Sequence, residues 1–471
     1  MKTKLLTLLS ICCVIISTNA QTVFETKASI NASTGDAPYT IATGFIDGDA
    51  NTDIVIGTYL GNTLEWYKGN GDGTFVLQTL IANALNGIGG LKLIDLNNDT
   101  FLDILATGYN NDSMVWIEND GTGNFTTENV ISTTIGGASG FSLGDINNDT
   151  FMDIAVTSYD DSEVVWFSGD GTGSFTLEAI KIDDTLGFPG VVKLSDIDGD
   201  GDLDALIATA AYSGDVIEIF RNDLIPGGTV GFTKDATSVA TGKIGIFNAS
   251  VEDLDGDANL DILATEISCG GFCGNVPGNL LWYEDDGAGG YTETVFTTSV
   301  TNPSVAQFKD LDADGFKDIV LSSGASGTGN DLVWFKNDGA GGFGPEIIID
   351  ATQSQTFVYA VVDFDDDGDL DIASCAYNQD DLNYFENLFE TLSTDDFETT
   401  ALSIYPNPVK DLLNFAGLEN DFTVKVYNII GQQILSQRIA ASTNSLNISE
   451  LSQGLYTVRI NDTFTTKFIK E

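Results

Sequence analysis

Seven times along this 471-residue chain an Asp-x-Asp/Asn-x-Asp-x-x-x-Asp segment runs directly into an apolar stretch of strand-forming residues. The last Asp of each copy falls at Asp53, Asp103, Asp153, Asp204, Asp261, Asp318 and Asp371, so the steps are 50, 50, 51, 57, 57 and 53 residues. A second pattern keeps the same phase. An apolar-aromatic run enters an Asp-Gly turn that ends in an aromatic residue, as in Val115-Trp116-Ile117-Glu118-Asn119-Asp120-Gly121 to Phe125. Asp-Gly between two β-rich runs signals a hairpin. Each unit therefore reads as four short strands. In the third these are Phe141 to Gly144, Ile154 to Tyr159, Glu163 to Phe167 and Phe175 to Ile180, with the Asp loop at 145–153. Four strands in about 50 residues is the size of one propeller blade.

The ends of the array carry the ring closure. The seventh unit stops after its third strand, Leu382 to Phe385. A stretch resembling a fourth strand, Phe24 to Ile30, stands instead near the N-terminus and matches Phe75 to Ile81 of the first unit. A circular array closes by pairing its two ends in one blade, which removes a long exposed edge. The expected fold class is all-β: a seven-bladed β-propeller over 21–388, followed by a linker at 389–402 and a small C-terminal β-sandwich over 403–471.

The chain carries 70 acidic and 19 basic residues. Residues 1–20 hold two Lys and no acid, and 401–471 hold six of each sign, so 21–400 has 11 basic and 64 acidic residues. Such a charge disfavours nucleic acid and anionic membrane as partners and attracts divalent cations. The absence of His excludes His-based general-base catalysis, Ser-His-Asp triads and His metal ligands. Residues 1–20 read as a signal peptide: Lys2 and Lys4, an apolar Leu5 to Ile16 too short to span a bilayer, and a small-residue cleavage site at Thr18-Asn19-Ala20. Cys12 and Cys13 would leave with it. No other long apolar run exists, so no transmembrane segment is expected. Cys269 and Cys273 either close a small Cys-Gly-Gly-Phe-Cys disulfide loop or stay as thiols, and Cys375 reads as a buried thiol.

Carboxylates at alternating positions of a tight turn converge on one point, which is hard-cation chemistry and suits calcium better than magnesium. The fourth loop is the most complete, with Asp196, Asp198, Asp200 and Asp204. Its sixth position, Gly201, permits the bend; the seventh offers a backbone carbonyl and leaves its side chain free to vary; the ninth-position Asp completes the site. The other candidate ligands are Asp95, Asn97, Asp99 and Asp103; Asp145, Asn147, Asp149 and Asp153; Asp253, Asp255, Asp257 and Asp261; Asp310, Asp312, Asp314 and Asp318; and Asp363, Asp365, Asp367 and Asp371. In the first loop Phe45 replaces the leading Asp and leaves Asp47, Asp49 and Asp53, a damaged site. Up to seven structural calcium ions follow.

These loops resemble the FG-GAP/VCBS repeats of integrin α-chain propellers and their bacterial relatives, over roughly 22–388. The resemblance implies a seven-bladed propeller with structural calcium; relatives include lectins, adhesins and some polysaccharide lyases. Residues 403–471, with Tyr405-Pro406-Asn407-Pro408, Val426-Tyr427-Asn428-Ile429-Ile430-Gly431 and Gly454-Leu455-Tyr456-Thr457-Val458-Arg459-Ile460, resemble the sorting domain of type IX secretion cargo. That implies export by the type IX machinery, followed by attachment to the cell surface or release.

On the face opposite the Asp loops, the turns between second and third strands carry Tyr59, Tyr109, Tyr159, Tyr212 and Tyr377. A ring of tyrosines beside amides suits an extracellular glycan or protein ligand; the simpler alternative is that these rings pack between blades. The five Trp and their equivalents Ile219 and Tyr384 share one repeat position, which points to packing between blades. A non-catalytic binding or adhesion module is the leading expectation. A polysaccharide lyase is the rival, weakened by the lack of His and by a propeller that holds one Arg, Arg221, and ten scattered Lys; a purely structural surface protein is the third reading.

Overall fold

The computed structural model describes residues 24–267, 278–325, 329–339, 342–388, 403–416, 422–428, 432–440, 443–461 and 464–471. The expected signal peptide, the 389–402 linker and the Cys269–Cys273 loop lie outside these residues. The chain divides into two compact units, Met1–Thr391 and Leu392–Glu471.

The first unit is a seven-bladed propeller. Six blades are antiparallel sheets in sequence order, each with four consecutive strands on its main path. Blade three contains Ala138–Gly144, Asp153–Ser158, Glu163–Gly169 and a short outer strand Phe175–Leu177. Blade seven is composite. Its three inner strands, Val358–Val362, Asp371–Ala376 and Asp381–Phe385, take their outer partner from Ala28–Asn31, with Ala28 opposite Tyr384 and Ser29 opposite Asn383. Phe24 bridges Asn387, and Glu25 N–H donates to the Glu386 carbonyl at 2.8 Å. The ring is thus sealed by its own ends, which satisfies the backbone groups an open edge would expose.

The second strand of every blade, for example Asp103–Gly108, is buried along its whole length. Neighbouring blades supply both covers, which is why these strands read as continuous apolar runs rather than alternating ones. The Trp position seals the seams: Trp66, Trp116, Trp166, Trp282 and Trp334 are all buried, as are Ile219 and Tyr384. A Cβ placed on Gly123, in the Asp-Gly turn of blade two, would lie 2.0 Å from the Trp66 ring, and one on Gly173 of blade three 2.4 Å from Trp116. Glycine in these turns therefore serves the approach of the preceding blade's indole as well as the positive φ of the turn.

The second unit is a β-sandwich of a three-stranded sheet (Ser403–Tyr405, Leu412–Ala416, Ser445–Asn447) and a four-stranded one (Gln433–Ile439, Phe422–Tyr427, Gly454–Ile460, Phe464–Lys470). Phe422, Val424 and Val426 alternate inward and meet Leu413, Phe415 and Phe468 in its core.

Candidate metal loops and aromatic face

Each Asp loop joins an innermost strand to the second strand of its blade. The ninth-position Asp is buried in all seven loops. It does more than complete a cation site. One carboxylate oxygen accepts the N–H of the loop's second residue, and the other accepts an N–H from the end of the third strand. Asp153 takes Ile146 and Gly169, both at 2.9 Å; Asp53 takes Ile46 and Gly69, also at 2.9 Å; Asp371 takes Phe364 at 3.1 Å and Asn387 at 2.9 Å. The same double acceptance recurs at Asp103, Asp204, Asp261 and Asp318. The residue is a latch between loop and sheet. Burial outweighs these bonds and pushes the carboxyls of Asp53, Asp103, Asp153, Asp204, Asp318 and Asp371 up to about 6.

The leading Asp closes the loop on itself. In the six intact loops its carboxylate accepts the N–H of the sixth residue: Thr100, Thr150, Gly201, Ala258, Gly315 or Gly368, at 2.7–3.1 Å. All six sixth residues have positive φ, from 76° to 99°. Glycine adopts this freely, whereas Thr100, Thr150 and Ala258 hold it under strain, the kind of cost that persists where a surrounding site demands the geometry. The fourth position has positive φ in all seven loops, from Gly48 to Asp366; the first loop, which lacks the leading Asp, keeps this at Gly48 but has no positive φ at its sixth residue, Ala50.

Carboxylate oxygens come within 4.8 Å of one another in Asp196/Asp198/Asp200, Asp253/Asp255/Asp261, Asp310/Asp312/Asp318 and Asp363/Asp365/Asp371. In loops two and three the third position is Asn, and Asn97 and Asn147 donate to Asp99 and Asp149 at 3.0 Å. Three residues join the sites that the spacing alone did not indicate. Asp202 and Asp369, at the seventh position, are buried rather than free to vary, and each leaves its Oδ1 without a hydrogen-bond partner. Glu386, the residue just after the third strand of blade seven, converges with Asp365 and Asp367. Burial and the neighbouring Asp367 push Asp369 up to about 8. A buried carboxylate oxygen with nothing to accept is costly. A hard cation would satisfy it, so the residues fit a divalent ion with oxygen ligands.

The strand-three residue beside each loop differs between blades. It is Glu118, Glu284 and Glu386 in blades two, five and seven, Ser168 in blade three, and a base in the other three. Lys68 Nζ pairs with both Asp47 and Asp49 of the damaged first loop, and this ammonium holds Asp49 below the usual carboxylate range. Lys336 likewise pairs with both Asp312 and Asp314 in blade six. Arg221 instead bridges Asp204 and Asp235, at 3.0 Å each, and leaves Asp196, Asp198 and Asp200 facing one another.

The loops also tie blades together. Asn119, Asn222 and Asn387 each donate from the side chain to the carbonyl of the second loop residue in the preceding blade, Ile46, Ile146 and Leu311, at 2.8–3.0 Å.

On the opposite face the tyrosines form a belt. Tyr59 and Tyr109 lie 6.3 Å apart between ring centres, Tyr109 and Tyr159 6.2 Å, and Tyr159 and Phe188 5.3 Å. Tyr39 fills the centre of the tract against Tyr59, Phe247, Phe357 and Tyr377. The rings therefore pack on adjacent blades. Tyr212, whose ring lies over Gly245, and Phe188 stay 38% and 44% exposed. Tyr39, Phe188, Phe247 and Phe357 stand at or just before the start of innermost strands, which share this face with the second-to-third-strand turns.

Residues 46–106, 95–156, 145–207 and 310–374 match the FG-GAP-like repeat family, and residues 403–471 match the secretion system C-terminal sorting domain. The chain is an FG-GAP-repeat propeller with a secretion-system sorting tail. The tail directs it through the type IX machinery to the cell surface or beyond. No curated protein matches the sequence. Among solved structures, a triple Arg-to-Ala mutant of AofleA from Arthrobotrys oligospora aligns at 12% identity and a TM-score of 0.40, covering 68% of this chain and 92% of that one. An auxiliary nutrient binding protein from Bacteroides ovatus aligns at 11% identity and 0.41, covering 75% and 70%. No helix among the described residues of the FG-GAP protein is long and apolar enough to cross a membrane.

Proposed function

We propose that this protein is an exported, calcium-braced propeller that acts as a non-catalytic binding module, with its ligand face on the aromatic belt. Residues 1–20 would be removed as a signal peptide and 403–471 read by the secretion machinery. The observation that carries the calcium half is the set of buried carboxylate oxygens without partners, Asp196 Oδ1, Asp202 Oδ1 and Asp369 Oδ1, inside loops four and seven, while Thr100, Thr150 and Ala258 hold loops two, three and five in the same backbone shape under strain. Loops two, three, four, five and seven are the strong sites in this reading. In loops one and six the ammonium of Lys68 or Lys336 supplies the positive charge from within the chain.

The ions would brace the ring on one face, and the other face would meet a glycan or protein. Tyr212 and Phe188 are large exposed rings at the rim of an otherwise packed belt, where a sugar can stack while neighbouring amides donate. Arg221 is held by two aspartates, which removes the one guanidinium that a polyuronate lyase would use to neutralise its substrate. The test is a glycan array probed in calcium with the wild type and with Tyr212→Ala and Phe188→Ala. Specific signals that disappear in both variants, at unchanged melting temperature, support the reading. A blank array with normal surface retention would favour a structural surface protein instead.

A further inference from the structure

The propeller's few basic residues are not randomly placed. Of the eleven between 21 and 400, Lys68, Lys181, Arg221, Lys234, Lys243, Lys317 and Lys336 form ion pairs with nearby carboxylates. Lys27 feels Asp331 and Asp381. The remaining three, Lys92, Lys193 and Lys309, have no ion pair among the described residues, and all lie on innermost strands: Ile88–Ile94, Pro189–Ser195 and Pro303–Lys309. The seven innermost strands together hold these three lysines and a single acid, Glu252, which is itself paired with Lys317. The wall of the axis is thus cationic in a propeller whose remainder is strongly anionic.

Register places the pair more closely. Lys92 lies opposite Leu105 and Lys193 opposite Leu206, the same position of blades two and four. The equivalent residues are Ser142, Ser250 and Gln307 in blades three, five and six, and alanine in blades one and seven. A polar arc therefore spans five consecutive blades at one level. Lys92 is exposed and the other four are half-buried. Three further strands cover the outer side of each, so this water-accessible surface belongs to the axial channel. Lys92 and Lys193 come from blades separated by blade three, yet the charge of Lys92 adds to burial in holding the Lys193 ammonium below the usual lysine range. Lys92 is lowered as well, by the partial desolvation that the surrounding wall imposes on it although water reaches it. Ser250 Oγ is buried without a hydrogen-bond partner, and Ser142 Oγ accepts the Leu194 N–H at 3.1 Å, which leaves its proton to donate. Two like charges held together without a counter-charge are unfavourable, and proteins seldom retain them unless something answers the charge.

We propose that the arc of Lys92, Ser142, Lys193 and Ser250 is a binding site in the axial channel for a small oxyanion, a carboxylate or sulfate group, held by two ammoniums and the serine hydroxyls. The anion is either a free ion or the acidic group of a sugar. This inference is independent of the calcium loops, which lie at one end of the innermost strands rather than within them.

The test is calorimetric titration of the calcium-loaded full chain with sodium sulfate and, separately, sodium glucuronate at low ionic strength, with sodium chloride as the control for screening. The wild type should bind at least one of the two anions, saturably and at one site. Lys92→Gln, at an exposed position that does not threaten the fold, should weaken binding several-fold. Lys92→Gln combined with Lys193→Gln should weaken it by about tenfold or more, and the double Arg variant should retain it. Tighter glucuronate than sulfate identifies an acidic sugar as the ligand, and the reverse identifies an inorganic ion. No saturable heat with either anion, or equal affinity in the wild type and the Lys92→Gln variant, overturns the proposal.

Discussion

Asp371→Asn separates the two roles of the ninth-position aspartate. Asp371 is fully buried, accepts N–H groups from Phe364 and Asn387, and approaches Asp363 and Asp365. An amide in its place puts an NH2 where one backbone N–H now finds an acceptor. A buried donor left without an acceptor costs about 1–3 kcal/mol. Against this, burial has moved the carboxyl from 3.8 to about 6, so near neutral pH the ionised side chain costs about 3 kcal/mol in the cation-free fold. Asparagine carries no such cost. The two effects nearly cancel in chelator, where the variant should lie within about 1 kcal/mol of wild type. Calcium removes the charge cost from the wild type alone, and the variant also lacks a ligand. In calcium the deficit should widen to about 3 kcal/mol, several degrees of melting temperature for a domain of this size. Urea or thermal unfolding of both proteins in each condition measures the difference. An equal deficit in calcium and in chelator would refute the assignment of Asp371 to a cation site and leave only the latch.

Other residues give sharper tests of single steps. Thr150→Gly should stabilise the protein by about 1 kcal/mol, because φ of 79° strains Thr and not Gly; thermal melting checks it, and any destabilisation would mean the hydroxyl has a role of its own. Gly123→Ala should destabilise by about 3 kcal/mol in urea unfolding, since its Cβ would meet Trp66 at 2.0 Å on a positive-φ backbone. Lys68→Met should lower the melting temperature in chelator and increase the gain on adding calcium, because Asp47 and Asp49 lose their internal counter-charge. The pH dependence should invert with calcium. The buried aspartates titrate near 6 folded and near 4 unfolded, so the native state binds more protons in that window and cation-free stability falls as pH rises through it. With calcium present, protons compete for the same oxygens, and stability should instead rise with pH over the same range.

The propeller was readable in the chain because its strongest constraints are local and repeated. Seven Asp loops in phase set the blade count, and Phe24 to Ile30 standing in for a missing fourth strand set the closure. The roles that escaped depend on register between strands. Asp153 looks like one more ligand until Ile146 and Gly169 are seen to donate to it. Asp202 and Asp369 occupy a position whose side chain the spacing leaves free, and only burial shows them turned inward. Lys68 and Lys336 lie more than twenty residues past the first residue of the loops they neutralise, and only the pairing of the third strand brings them there. The spacing suggests glycine at the sixth position, yet Thr100, Thr150 and Ala258 take the same backbone geometry. The aromatic belt was half visible: the tyrosines after the second strands were evident, whereas Tyr39, Phe247 and Phe357 sit at the starts of strands that read as plain core.

The central claim is that cations brace the ring, and thermal melting of the full chain with calcium and with excess chelator tests it most directly. Five strong sites, each at about a hundredfold excess of calcium over its dissociation constant, should raise the melting temperature by on the order of 10 °C or more. A melting temperature unchanged by the chelator would contradict the account.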